Sequence, residues 1–86
     1  INKSGMEKVK KAFDALDFKY IESFGNFITF DSQMDSDSSF DFFLRKGIIL
    51  RSLKVYEMPQ HLRVSIGLED EMDAFIKVLE EYKKAL

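Results

Sequence analysis

The chain has 86 residues, of which 45% are hydrophobic and 33% charged, and its formal net charge is −2 at pH 7. This length allows one small domain, and the high apolar content excludes a disordered segment. The lack of cysteine excludes a disulfide scaffold and a thiolate zinc site, and it favours a cytoplasmic protein. The acidic balance argues against nucleic acid as a partner, and no apolar run is long enough to cross a membrane.

The sequence starts at Ile1, and its first methionine, Met6, falls inside the first periodic segment. This predicts either a processed N-terminus or a piece of a longer protein, and we favour the piece.

The first periodic segment is helical, because Met6, Val9, Phe13 and Leu16 recur at spacings of three and four. An aromatic and β-branched stretch then predicts a strand over 26–30.

A second helix is indicated by the run 35–39, which supplies N-cap candidates and first-turn acids. Phe40, Phe43 and Leu44 share one face of this helix, and Gly47 suits its C-terminal end.

Residues 48–50 form an unbroken apolar run, which predicts a strand buried on both faces, and 52–60 is predicted to be a loop. Strict alternation then predicts a last strand with Leu62, Val64 and Ile66 on one face and Arg63 and Ser65 on the other.

The final segment is predicted to be a helix that opens with the acids 69–71 and ends with Lys83 and Lys84. Its expected buried stripe is Leu68, Met72, Phe75, Ile76, Leu79, Tyr82 and Leu86. The predicted order is therefore α-β-α-β-β-α: a single two-layer α+β domain, with helices on one face of a small, mostly antiparallel sheet.

The sequence contains few residues arranged in a pattern typical of a catalytic site. His61 is the only histidine and has no second ligand at metal spacing, and the four glycines are isolated, so neither a metal site nor a phosphate-cradling loop is predicted. No catalytic residue is assigned.

Two arginines are better candidates. Arg63 interrupts an apolar strand on the face away from the predicted core, and Arg51 directly follows an apolar run. An arginine held on a strand suits bidentate recognition of a carboxylate or phosphate. The alternative is that each pairs with a neighbouring Asp or Glu on the sheet surface.

Several motifs in order resemble the end of the histidinol-phosphate aminotransferase family. They are the run 45–51, Tyr56 with Pro59 in the following loop, the strand and glycine 61–67, and upstream the run 25–28. The loop departs from the family pattern, since Glu57 stands where a glycine is usual.

The resemblance implies the C-terminal small subdomain, spanning 1–86, of a larger fold-type I enzyme that uses pyridoxal phosphate. It implies that Arg63 binds the substrate α-carboxylate, that Arg51 lies near the substrate phosphate, and that Asn26 lies on the cleft side, where it fixes backbone or contacts substrate. Tyr56 and His61 match loop positions that border the site.

The resemblance also implies the partners. The cofactor lysine and the phosphate cup would lie in a large domain of the same protein, so this chain alone is expected to bind no pyridoxal phosphate and to be inactive. The parent would be a cytoplasmic homodimer that acts on a small amino-acid or phosphate substrate.

Two alternatives stay open. One keeps the superfamily and changes the chemistry, to a threonine-phosphate decarboxylase or an aromatic transaminase. The other is a free-standing α+β regulatory module that binds small ligands.

Overall fold

Three helices and four strands follow one another in the computed structural model, which describes residues 2–22 and 25–86. The elements are α1 (Lys3–Ala15), β1 (Tyr20–Ile21), β2 (Phe27–Asp31), α2 (Ser36–Arg45), β3 (Arg51–Ser52), a 3-10 turn (Lys54–Tyr56), β4 (His61–Ser65) and α3 (Glu69–Ala85).

The strands form one sheet in the order β1-β2-β4-β3, and every neighbouring pair is antiparallel. Residues Ile28 and Val64 are Cα partners, as are Phe30 and Leu62, and all four side chains are buried. Because side chains alternate along a strand, the residues between them point to the opposite face. That outward row includes Arg63, as the alternation predicts.

The core lies between the sheet and the three helices. The ring of Phe30 lies 4.9 Å from that of Phe13 in α1, 6.2 Å from Phe43 in α2 and 6.0 Å from Phe75 in α3, measured between centroids. One strand residue therefore contacts all three helices, so all of them cover the same face. The predicted two-layer α+β fold is confirmed, but the predicted order α-β-α-β-β-α is incomplete, because it lacks the two-residue strand β1.

The second helix begins and ends as its sequence predicts. The carboxylate of Asp35 accepts a hydrogen bond from the Ser38 N–H at 3.0 Å, which satisfies an amide that the helix leaves unpaired. At the other end Gly47 adopts a φ of 84°. The N–H groups of Gly47 and Ile48 then donate to the carbonyls of Leu44 and Phe43, an end that favours glycine.

The prediction of a strand over 48–50, buried on both faces, is wrong. Strand β3 comprises Arg51 and Ser52 only, and the side chain of Ile49 is 79% exposed, whereas Leu50 is buried. The physical reason is that all three helices cover one face of the sheet, so the segment leading into β3 is covered on the helix side alone. The predicted loop 52–60 is also partly wrong, because Ser52 belongs to β3 and the 3-10 turn lies within the predicted loop.

Some residues of the predicted helix stripes are not buried. Leu44 is exposed, and buried Ser36 and Ser39 complete the inner face of α2 with Phe43. Leu68 is the N-cap of α3 and is exposed, as is the terminal Leu86. A stripe read from apolar residues alone overlooks small hydroxyl side chains that find hydrogen-bond partners inside. It also missed Val78, which is buried in α3.

Candidate anion-binding site

The outward face of the sheet presents two arginines side by side. Arg51 in β3 and Arg63 in β4 are Cα partners on adjacent antiparallel strands. Directly opposed residues of such strands have their side chains on the same face, with Cβ atoms about 4.5–5.5 Å apart. The structure therefore brings together the two arginines that the sequence singled out separately. We call them the arginine pair.

The arginine pair has no acidic partner within residues 2–22 and 25–86. No carboxylate of these residues lies within 4.0 Å of either guanidinium, whereas Arg45, outside the sheet, pairs with Asp41 at 2.8 Å. This contradicts the alternative in which each strand arginine forms a surface ion pair. Like charges directly opposite each other destabilise a sheet, and an anion bound between them would relieve the repulsion.

An aromatic ring supports one member of the pair. The guanidinium carbon of Arg63 lies 4.6 Å from the ring centroid of Phe27, which starts β2. Phe27 is the Cα partner of Ser65, so it is diagonal to Arg63 on the outward face. Both side chains are half-buried. Sequence reasoning missed Phe27 as a site residue, although the alternation along the predicted strand 26–30 was a signal that could have placed it on this face.

His61 and Tyr56 were both predicted to be loop residues. For His61 this is wrong, because it is the first residue of β4 and the Cα partner of Asp31. Its imidazole is half-buried, and the buried Nδ1 atom has no hydrogen-bond partner among the described residues. Tyr56 ends the 3-10 turn and is exposed. The next residue, Glu57, has a φ of 63°, the left-handed conformation that favours glycine.

Asn26 lies apart from the arginine pair, at the end of the sheet near the start of α1. Its side-chain Oδ1 accepts a hydrogen bond from the Asn2 N–H at 2.6 Å, and its carbonyl accepts one from the Ile66 N–H at 2.7 Å. Asn2 in turn caps α1 by accepting from the Gly5 N–H. These contacts describe a residue that fixes backbone.

Three lysines have surroundings that do not suit a cofactor-holding amine. A lysine that forms a Schiff base needs a lowered pKa, which burial supplies. Carboxylates do the opposite here: hydrogen bonds to Asp73, Glu22 and Asp37 raise the pKa of Lys8, Lys10 and Lys54 respectively. These three lysines are therefore poor candidates for covalent attachment of pyridoxal phosphate.

Among residues 2–22 and 25–86, no group of three or more His, Asp or Glu side chains is placed to hold a metal ion. No helix in that part of the chain has the length and apolar character needed to span a bilayer.

The fold has a close counterpart among aminotransferase structures. The crystal structure of a protein from Burkholderia pseudomallei K96243, assigned as a candidate aminotransferase, superposes with a TM-score of 0.85 over 93% of this chain and 24% of that chain. Sequence identity is 24%, so the likeness establishes a shared fold. No family model matches the sequence.

The sequence relatives point to a narrower family than the shared fold does. The chain is 41% identical over 80 residues to histidinol-phosphate aminotransferase 1 of Nitrosococcus oceani, a match covering 93% of this chain and 22% of the relative. It is 43% identical over 79 residues to histidinol-phosphate aminotransferase 2 of Pseudomonas aeruginosa, covering 92% and 21%. It is 40% identical over 81 residues to the histidinol-phosphate aminotransferase of Caldicellulosiruptor saccharolyticus, covering 94% and 23%.

The chain thus spans about a fifth of the length of the curated relatives it matches. Within that length, the resemblance to histidinol-phosphate aminotransferases is confirmed over nearly the whole chain.

Proposed function

We propose that this chain is the substrate-orienting part of a pyridoxal-phosphate-dependent aminotransferase, with histidinol phosphate and glutamate as the amino donors. In this proposal residues 1–86 are the C-terminal small subdomain. A larger domain of the same protein holds the cofactor, and the active protein is a cytoplasmic homodimer. When bound, the cofactor supplies an electron sink for the carbanion formed at the substrate carbon.

The observation that carries the proposal is the arginine pair. Two guanidinium groups on adjacent strands, without an acidic partner among the described residues, form a surface that favours an anion. Both proposed donors are anionic, since glutamate carries carboxylates and histidinol phosphate carries a phosphate ester. The histidinol-phosphate aminotransferases that match the chain at 40–43% identity support this choice of substrates.

Each arginine has a separate task. Arg63, backed by Phe27 on a central strand, binds the α-carboxylate and so sets the orientation of the substrate carbon. Arg51, at the exposed edge of the sheet, binds the substrate phosphate. Both arginines lie on paired strands of one sheet, and holding a reactant in the productive geometry removes an entropic part of the barrier. Asn26 contributes by fixing the strand end rather than by touching substrate.

The experiment is a substrate comparison with the complete protein and its Arg51→Met variant. We expect the wild type to use histidinol phosphate better than aromatic amino acids, and Arg51→Met to lose that preference while it still reacts with glutamate. Arg45→Met is the matched control, because Arg45 lies in α2 and pairs with Asp41. It should leave the preference unchanged.

Other outcomes would redirect the proposal. Release of carbon dioxide from a phosphorylated amino acid would indicate the decarboxylase, and preference for aromatic donors would indicate the aromatic transaminase. Absence of any amino-transfer activity in the complete protein would contradict the proposal that it is an aminotransferase and would favour the regulatory module.

A further inference from the structure

We propose that Phe27 is a positioning residue for Arg63, and that Gly25 is small because the Phe27 ring occupies the space a side chain would need. This inference rests on the proposed function, since it assigns how the carboxylate-binding arginine is held. Three residues are involved, Gly25, Phe27 and Arg63, which we call the outer stack.

The guanidinium of Arg63 lies over the ring of Phe27. The distance of 4.6 Å from the Arg63 guanidinium carbon to the Phe27 centroid is within the range of about 6 Å over which such pairs attract. Arginine stacks on aromatic faces because its guanidinium is planar and weakly hydrated, and a stacked guanidinium keeps its N–H edges available for an anion. The ring therefore restrains the arginine without using its hydrogen-bond donors.

Gly25 lies beside the edge of the same ring. A Cβ atom added to Gly25 would stand 2.6 Å from Cε1 of Phe27 and 3.0 Å from Cδ1. Separations this short require the ring to move. Gly25 thus leaves the space in which the ring sits, and any larger residue there displaces the surface on which Arg63 rests.

Charged groups of the described residues add no restraint on Arg63. No carboxylate of residues 2–22 or 25–86 holds the Arg63 guanidinium, and its Cα partner Arg51 repels it. A long side chain in that situation samples several rotamers, and ordering it costs free energy when the anion binds. Contact with the Phe27 ring reduces this cost in advance.

The test uses the complete protein with glutamate as the substrate and succinate as a competing dicarboxylate. Phe27→Leu keeps apolar bulk and removes the ring. We expect the KM for glutamate and the inhibition constant of succinate to rise roughly five- to tenfold, with kcat changed less than about twofold. Phe27→Tyr and Phe27→Trp keep a ring, so both constants should stay near their wild-type values. Gly25→Ala should also raise both constants, by a smaller factor than Phe27→Leu does.

The matched control is Phe42→Leu. Phe42 is also half-buried and lies 5.9 Å from the Lys46 ammonium, but it belongs to α2 on the other side of the sheet. It should leave both constants unchanged, which separates the outer stack from a general loss of stability.

The double variant Arg63→Ala with Phe27→Leu distinguishes the positioning role of Phe27 from the proposed function of the chain. If Arg63→Ala weakens succinate binding and Phe27→Leu adds nothing in that background, Phe27 acts through Arg63. If Arg63→Ala weakens binding and Phe27→Leu alone does not, the positioning role is overturned and the proposed function stands. If neither variant alters binding, both are overturned.

Discussion

The two faces of the sheet use the same strands in opposite ways. On the helix side, Ile28, Phe30, Leu62 and Val64 are buried in one aromatic-rich core. On the outward side, Arg63 of β4 and Arg51 of β3 oppose each other without an acidic partner in the described part of the chain. Natural sheets normally separate like charges. The difference indicates that the inner face serves stability, and it supports the proposal that the outer face receives an anionic ligand.

The largest effect on stability is expected from the inner face. Phe43→Ala removes a fully buried ring that packs against Phe30, Phe75 and Tyr82. It should lower the free energy of unfolding by about 3–5 kcal/mol, because it leaves a cavity. Hydrogen exchange at the amides of β2 and β4 in the complete protein measures the loss. Leu44→Ala, at the adjacent exposed position, should change it by less than about 0.5 kcal/mol.

A smaller loss is expected from the buried polar contact behind the core. The Tyr82 hydroxyl donates a hydrogen bond to the Ser32 carbonyl at 2.5 Å, and burial raises the pKa of this tyrosine. Tyr82→Phe leaves the carbonyl unpaired and should cost about 1–2 kcal/mol by the same exchange measurement. The exposed Tyr56→Phe is the control, and an equal loss there would show that the hydrogen bond is not the cause.

On the outer face the expected sign is reversed. Arg51→Met relieves the repulsion with Arg63, so the ligand-free protein should gain about 0.2–1 kcal/mol of stability. Arg45→Met breaks the pair with Asp41 and should instead lose about 0.3–0.5 kcal/mol. Denaturant midpoints of the complete proteins, compared at low salt, measure both. A loss of stability in Arg51→Met would contradict the view that the two cations repel.

The smallest effect concerns pH. The Ser38 N–H, which donates to the Asp35 carboxylate, lowers the pKa of Asp35 below its ordinary value of 3.8 in the folded protein. The cap therefore stabilises the fold above that value, and its contribution is lost as pH falls through the folded pKa. Asp35→Asn keeps a cap that does not titrate. Thermal midpoints should fall less steeply below pH 4 in this variant, and equal slopes would contradict the assignment.

Periodicity predicted the helices and the two central strands because both patterns follow directly from burial on one face. It failed at residues 48–50, since an apolar run does not reveal whether one or both faces of the sheet will be covered. It could not place Arg51 opposite Arg63, because register depends on pairing between distant segments. It also missed Phe27, whose role comes from a diagonal contact, and the buried serines of α2, which carry no apolar signal.

The most direct test of the account is the catalytic efficiency of the complete protein with Arg63→Ala. If the Arg63 guanidinium binds the substrate carboxylate, kcat/KM for glutamate should fall roughly 10²–10³-fold, a loss of about 3–4 kcal/mol of transition-state stabilisation. Arg63→Lys should recover only part of it, because an ammonium lacks the planar fork. A fall of less than about fivefold in Arg63→Ala would contradict the central claim that the outer face of this sheet orients the substrate.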